Sequence, residues 1–391
     1  MTEGLPRPVR ALIGVRVINQ LGAYVMSFLA VLAGPGLASA ALAVFGVAAL
    51  ASRWAGGVLL DRLAPRAVVA LGLASTGAAL LVLAAAHGPP QTLGAVALVG
   101  LAFELCEPAT QEALARAAPP GRHGDVYGLL GTSLVAAGAV GGLLAAVLLP
   151  LGARWLAVVD AATCLAAAAV ALAFLPREPV RPPVRDAAWR PSARLVRLTA
   201  AGTAFAVGYL AVLMYMPLVL LQRGAPAWLP GLALTGAAVL APLTGRLGRR
   251  ALDRLPHERV LALGTGLLAA AALVLAVGRA VPVTVAAYLA WAVADSVLQG
   301  RWQALIASIA PEPERPRWFA FFGSSWGVAQ PAVPGLAALA GGAMPVAAAA
   351  FLLVPPILRG TPGRKAGGDD GDPVVSTRDE RPASVTVADP S

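Results

Sequence analysis

Two glutamates three residues apart, Glu104 and Glu107, sit in the middle of an apolar run of this 391-residue chain. An ionised carboxylate at membrane depth is costly and two neighbouring ones repel, costs that a bound proton removes. On one helix they would occupy adjacent faces of a single turn. The pair is therefore the candidate for proton coupling; the competing reading is that one or both pair with an arginine such as Arg53 and lock helices together. Asp295 lies in a second such run and joins them as a proton-coupling candidate. Gln299 follows it four residues on and Trp302 continues the same stripe, so a carboxylate, an amide and an indole could line a cavity for a cationic or mixed-polarity ligand, or could equally serve helix packing. Asn19, Gln20 and Tyr24 in the first apolar run cannot all face lipid cheaply, and at least one of the two amides should reach a central path or a partner helix. Trp291 joins them as a substrate-cavity candidate, with Tyr209, Tyr215 and Trp326 as possible aromatic walls. Glu112, four residues before Arg116, reads as a helix ion pair, and Asp160 as structural.

These residues are set in a chain that is 58% apolar and 13% charged, with a mean hydropathy of +0.74. So little charge cannot cover a soluble surface. The formal net charge of +10 does not indicate nucleic acid, because the arginines fall in short segments between apolar stretches and form no single basic face. Lysine occurs once, at Lys365, and there is no phosphate-binding loop of the G-x-x-x-x-G-K-[ST] kind. His87, His123 and His257 are unpaired for a metal, and no nucleophile and base stand together. The sequence thus implies neither an enzyme nor a cofactor. Cys106 and Cys164 both fall within apolar runs and read as reduced thiols.

Apolar runs long enough to cross a bilayer occur near 15–34, 37–60, 67–87, 92–115, 126–150 and 155–175, then near 198–221, 227–248, 260–278, 281–306, 318–341 and 343–358. The halves repeat one another: Asp61-Arg62-Leu63 returns as Asp253-Arg254-Leu255, and Gln111 and Pro119 as Gln303 and Pro311, at a constant offset. A parallel repeat of this kind is one architecture of secondary transporters. Arginines crowd one side of the proposed spans, which sets an expectation of twelve helices with both termini cytoplasmic in the inner membrane. The domains expected are an N-terminal segment 1–14, a six-helix bundle 15–175, a Pro- and Arg-rich linker 176–197, a second bundle 198–358 and a disordered tail 359–391.

The stretch Gly57-Val-Leu-Leu-Asp61-Arg62-Leu-Ala-Pro-Arg66 resembles the loop signature of the major facilitator superfamily. Glu107-Pro108-Ala109 through Tyr127-Gly128 and Gly131 resembles that family's fourth and fifth helices, and Leu151-Gly152 with Asp160-Ala161 its sixth. Two departures are visible: Ala64 and Pro65 replace the loop's usual glycine and basic residue, and Leu143 stands where a proline would follow Gly138 and Gly142. The resemblance implies an all-α membrane protein with twelve helices in two parallel-related six-helix bundles. It also implies a gating loop of Gly57, Asp61, Arg62 and Arg66, with Asp253 and Arg254 as its counterpart, in which Asp61 meets a helix N-terminus near Trp318 and Phe319. The nearest branch in resemblance is the twelve-span drug–proton antiporters. The function expected is proton-coupled efflux of hydrophobic or amphipathic small molecules by a monomer whose partners are substrate, protons and lipid. The rivals are an importer of a sugar or organic anion and, from another class, a membrane receptor or enzyme.

Overall fold

The computed structural model describes residues 6–117, 123–177, 189–252, 254–311 and 314–359. Asp253 of the repeated loop, Arg122, half of the 176–197 segment (178–188) and residues 360–391 lie outside the described residues. Those described form fifteen helices and no strand. The first half comprises α1 (Arg7–Leu21), α2 (Val25–Ala33), α3 (Ala38–Leu60), α4 (Pro65–Ala85), α5 (Pro89–Phe103), α6 (Glu107–Ala117), α7 (His123–Leu151) and α8 (Ala153–Phe174). The second comprises α9 (Ala193–Gln222), α10 (Leu229–Leu252), α11 (His257–Val277), α12 (Val281–Leu298), α13 (Arg301–Ile309), α14 (Arg315–Leu339) and α15 (Ala343–Arg359). Prolines in the first turn of α1, α4, α5, α12 and α14 open those helices where a missing N–H costs nothing. Helix α9 starts at Ala193 rather than 198, because Ser192 caps it by accepting from Leu195 N at 3.3 Å.

Three of the expected spans are broken rather than continuous. The first is α1 and α2, whose gap at Tyr24 is met by Asp160 Oδ2, 3.2 Å from Tyr24 N. The fourth is α5 and α6. Pro108 has no N–H to give the Glu104 carbonyl four residues back, and the chain closes instead with a shorter Glu107 N to Glu104 O bond of 3.2 Å. The tenth is α12 and α13, parted at Gly300, whose φ of +80° a side chain would resist. Pro108 and Gly300 stand at the same offset as the repeat in sequence. The two glutamates therefore do not share one helical turn: Glu104 ends α5 and Glu107 begins α6.

Length and composition suffice for nine membrane-crossing helices among the described residues. Three of the expected twelve fall short on those grounds. Helix α10 is apolar only over Leu229–Gly245, and α14 and α15 pass only as a pair, bent by 119° at their break. The reasons are local: arginines Arg246, Arg249 and Arg250 end the apolar part of α10, Arg315 and Arg317 open α14, and α15 has 17 residues. At 1.5 Å per residue α15 spans about 25 Å, just short of a ~30 Å hydrocarbon layer.

The packing repeats as the sequence does. In the first half α8 lies against α4 and α1, and α5 against α3 and α4; in the second, α15 lies against α11 and α9, and α12 against α10 and α11. The halves meet where α7 packs on α10, α3 on α14 and α2 on α9. Outward, Val147, Leu151, Phe174, Leu263, Leu267, Val277 and Leu339 are all more than 60% exposed. So continuous an apolar surface requires lipid around it.

Candidate functional site

Contacts between the halves are concentrated toward one face, the one bearing the turns at Gly34, Gly152, Gly224 and Gly341. There a Cβ on Gly46 of α3 would lie 2.7 Å from Pro331 Cα of α14. One on Gly231 of α10 would lie 2.5 Å from Gly142 O of α7. Polar bonds cross at the same level: Ser39 Oγ with Tyr215 OH at 3.3 Å, and Thr235 Oγ1 to Ala139 O at 3.1 Å. Toward the opposite face, where the described chain begins and ends, Gly57, Asp61, Arg62, Gly128, Gly131, Thr132, Leu247 and Ser324 are exposed. The molecule is closed at one face and parted at the other.

Between the halves lies a cavity of about 680 Å³. Gln20, Tyr24 and Phe28 reach it from the first span, glycines of α7 form a smooth wall, and Tyr209, Tyr288, Trp291, Asp295 and Gln299 supply the second half's side. Two smaller cavities adjoin it. One, of about 250 Å³, takes in Arg53, Glu104, Trp326 and Gln330; the other, of about 220 Å³, takes in Phe205, Trp302, Gln303 and Phe322. Tyr209 lines all three. Its ring stands 5.2 Å from Trp291 and 5.3 Å from Trp326, centroid to centroid. Tyr288 stacks on Trp291 at 5.9 Å.

The cavity wall follows helical spacing. On α12, Tyr288, Trp291 and Asp295 recur at three- and four-residue steps, and Gln299 at its C-cap follows four residues on, so one stripe leads to them all. Gln299 Nε2 donates to Asp295 Oδ2 at 2.9 Å. On the first span Gln20 and Tyr24 share the cavity side. Asn19, expected with them, lies one position round and accepts instead from Cys164 Sγ at 3.3 Å, on α8. Tyr288 and Phe28 are wall residues that the sequence reading overlooked; Tyr288 could have been found, since it begins the stripe that Trp291 and Asp295 continue.

Both glutamates at the α5–α6 break have arginine partners. Arg53 Nη2 of α3 lies 3.3 Å from Glu104 Oε2, and Arg16 Nη1 of α1 lies 2.8 Å from Glu107 Oε2. Gln111 Nε2 adds a 2.9 Å bond to Glu107 Oε1. The break thus gathers the first, second and fourth spans around two ion pairs, with the Glu104 pair facing a cavity. Glu112 and Arg116 form their i, i+4 pair at 2.6 Å. Cys106 and Cys164 are buried free thiols.

The expected gate contact is not made. Asp61 ends α3, is exposed, and forms no ion pair or side-chain hydrogen bond among the described residues. Trp318 Nε1 donates to Glu314 Oε2 at 3.3 Å instead. The cause is the parting of the halves at that face, which holds α3 and the start of α14 apart. Arg62 and Arg254 are exposed, and nothing lies within 4 Å of a Cβ placed on Gly57. Among the described residues of the loop and its counterpart, only Arg66 is engaged, through Nη1 to Leu175 O at 3.3 Å.

Repeated helical bundles enclosing a cavity that is shut at one face define a polytopic membrane carrier. Residues 12–251 match the Major Facilitator Superfamily, and the chain belongs to that family. It is a secondary transporter, not an enzyme. Its fold is shared by solved transporters. A POT family transporter in complex with 5-aminolevulinic acid aligns with a TM-score of 0.76 at 12% identity over 92% of this chain and 96% of that one. A peptide transporter POT in complex with sulfate gives 0.72 at 16% identity, over 92% and 95%. A D-xylose–proton symporter gives 0.68 at 13%, over 90% and 95%. At such identities the likeness is one of fold. No curated protein matches the chain in sequence.

Proposed function

We propose that this chain is a proton-coupled exporter of hydrophobic or amphipathic small molecules, working as a monomer by alternating access, with both termini cytoplasmic. The observation that carries the reading is the composition of the central cavity. Its wall mixes aromatic and aliphatic side chains with uncharged polar ones such as Gln20, Ser27 and Thr132, and Asp295 is the one charged residue among the described residues lining it. Such a wall suits an apolar body with a small polar or cationic part. A neutral sugar would leave Asp295 without a charged partner, and an organic anion would want a cation on the wall. Arg53, which lines the adjoining 250 Å³ cavity, is already engaged with Glu104.

Proton coupling is supported by the placement of Glu104 beside a cavity that adjoins the large one through Tyr209. A proton on Glu104 would release Arg53, loosening the link between α3 and the α5–α6 break, and substrate in the cavity would favour one of the two arrangements. Coupling of this kind requires that proton and substrate each bind the two states with different affinities. The direction of transport rests on the resemblance to the antiporter branch, and the orientation on the arginine asymmetry.

In inverted membrane vesicles, an acid interior should drive accumulation of a lipophilic dye, and an agent that collapses the pH gradient should abolish it. Uptake that ignores the gradient would remove proton coupling; uptake only in right-side-out vesicles would reverse the direction.

A further inference from the structure

The first span contributes to the large cavity from both sides of its break. Gln20 reaches it from the end of α1, and Tyr24, Ser27 and Phe28 from the cap and first turn of α2. How far these side chains stand into the cavity therefore depends on how α1 and α2 meet. The break rests on α8. A Cβ on Gly22 would lie 2.9 Å from Asp160 Cα and would strike Thr163 Oγ1. Beyond the break, α2 packs on α9 of the other half.

Asp160, 3% exposed, reaches both sides of that break. On the α2 side its Oδ2 accepts from Tyr24 N at 3.2 Å, the same N–H that closes a tight turn on Gly22 O at 2.6 Å. The side chain of Tyr24, at the N-cap of α2, makes no cap bond. A carboxylate from α8 thus supplies the negative oxygen that a helix N-terminus favours. On the α1 side Asp160 Oδ1 lies 3.5 Å from Cys164 Sγ, whose S–H is shared with Asn19 Oδ1 at 3.3 Å. With Asn19 held to α8, Gln20 is turned about 100° further round α1, onto the cavity side.

Taking the cavity as the substrate site proposed above, we propose that Asp160 is a positioning residue for substrate binding. By holding Tyr24 N on one side of the break and, through Cys164, Asn19 on the other, it fixes the angle between α1 and α2 and with it the reach of Gln20 and Tyr24 into the cavity. Asp160 is not itself among the residues lining the cavity, so it acts on substrate only through that wall. What the role needs at Oδ2 is an oxygen acceptor; an amide supplies one as a carboxylate does.

The test is a double-mutant cycle, read by fluorescence polarisation of the amphipathic dye ethidium titrated into full-length protein in lipid nanodiscs, with empty nanodiscs subtracted. Asp160→Ala should weaken binding about tenfold, and Asp160→Asn should stay within about twofold of the native protein. Cys164→Ala, which releases only the Asn19 side, should weaken it about two- to threefold. The pair Gln20→Ala and Tyr24→Ala should weaken binding by itself, and in that background Asp160→Ala should add less than about twofold. A carboxylate that merely held the bundle together would cost the same factor in both backgrounds. Native-like binding by Asp160→Ala, an Asp160→Asn variant as weak as Asp160→Ala, or equal factors in the two backgrounds would overturn the role of Asp160 and leave the cavity as the substrate site. If Asp160→Ala does not fold, Cys164→Ala takes its place in the cycle, and a loss that persists in the Gln20 and Tyr24 background would overturn the role. Native protein that binds no ethidium, or a Gln20 and Tyr24 variant that binds it like the native protein, would overturn the cavity reading and the role of Asp160 together.

Discussion

Arg16 and Glu107 show how a single pair here divides between stability and function. Both side chains are about three-quarters covered and 2.8 Å apart, so removing one leaves the other charge poorly solvated. Arg16→Met should lower stability by about 1–3 kcal/mol, less than for a fully buried pair because some solvent reaches both. Adding Glu107→Gln should restore much of that loss, readable as the melting temperature of the detergent-solubilised protein. Glu104→Gln has a different signature. It keeps the shape, and Arg53, whose side chain is 43% exposed, can turn to solvent when released, so the melt should change little while gradient-driven accumulation falls at least about tenfold. If Glu104→Gln and Glu107→Gln both transport at the native rate, neither carries the coupled proton. Composition and helical spacing made the carboxylates legible in the sequence, and with them Gln299 beside Asp295. The partners were less legible. That Arg16 finds Glu107, and that Tyr209 stands where three cavities meet, depends on which helices become neighbours, and no periodicity within one helix encodes that.

At the level of elements, the spans were legible as apolar runs but their breaks were not, although the residues responsible are plain once the fold is known. Pro108 interrupts the fourth span and Gly300 the tenth, by opposite means: one removes a hydrogen bond, the other permits a left-handed turn. A hydropathy window averages across both. Gly300→Ala should cost about 1–2 kcal/mol, the penalty for placing a side chain at positive φ, seen as a lowered melting temperature with the α12–α13 break retained. Pro108→Ala should do the reverse. It restores an N–H that can reach the Glu104 carbonyl, which favours a continuous helix and draws Glu104 and Glu107 onto one turn. The expected result is a protein at least as stable as the native one but slower in transport, because the ion pairs at the break lose their geometry. A Pro108→Ala variant that transports at the full rate would show that the break is dispensable.

On the scale of the whole molecule, the two halves meet at near-contact points set by small residues, and alternating access as proposed would make them levers about those points. Gly231 and Gly142 let α10 and α7 touch backbone to backbone, while Gly46 does the same for α3 against Pro331. These contacts lie on the closed face, and the loop carrying Asp61 lies on the open one. Under the alternating access proposed above, a state in which Asp61 meets the start of α14 would require the glycine contacts to come apart. Gly231→Ala should favour that state, since its Cβ would sit 2.5 Å from Gly142 O with backbone, not a flexible side chain, in the way. Overpacking of this kind costs about 1–3 kcal/mol, enough to move a two-state ratio about tenfold or more. Spin labels at exposed Gln91 and Arg279 report the closed face, and a pair at Arg62 and Arg254 the open one. In Gly231→Ala the first distance distribution should lengthen and the second shorten together. Lengthening at one face without shortening at the other would mean that the variant is merely splayed, and that the halves do not rock as rigid levers about the cavity.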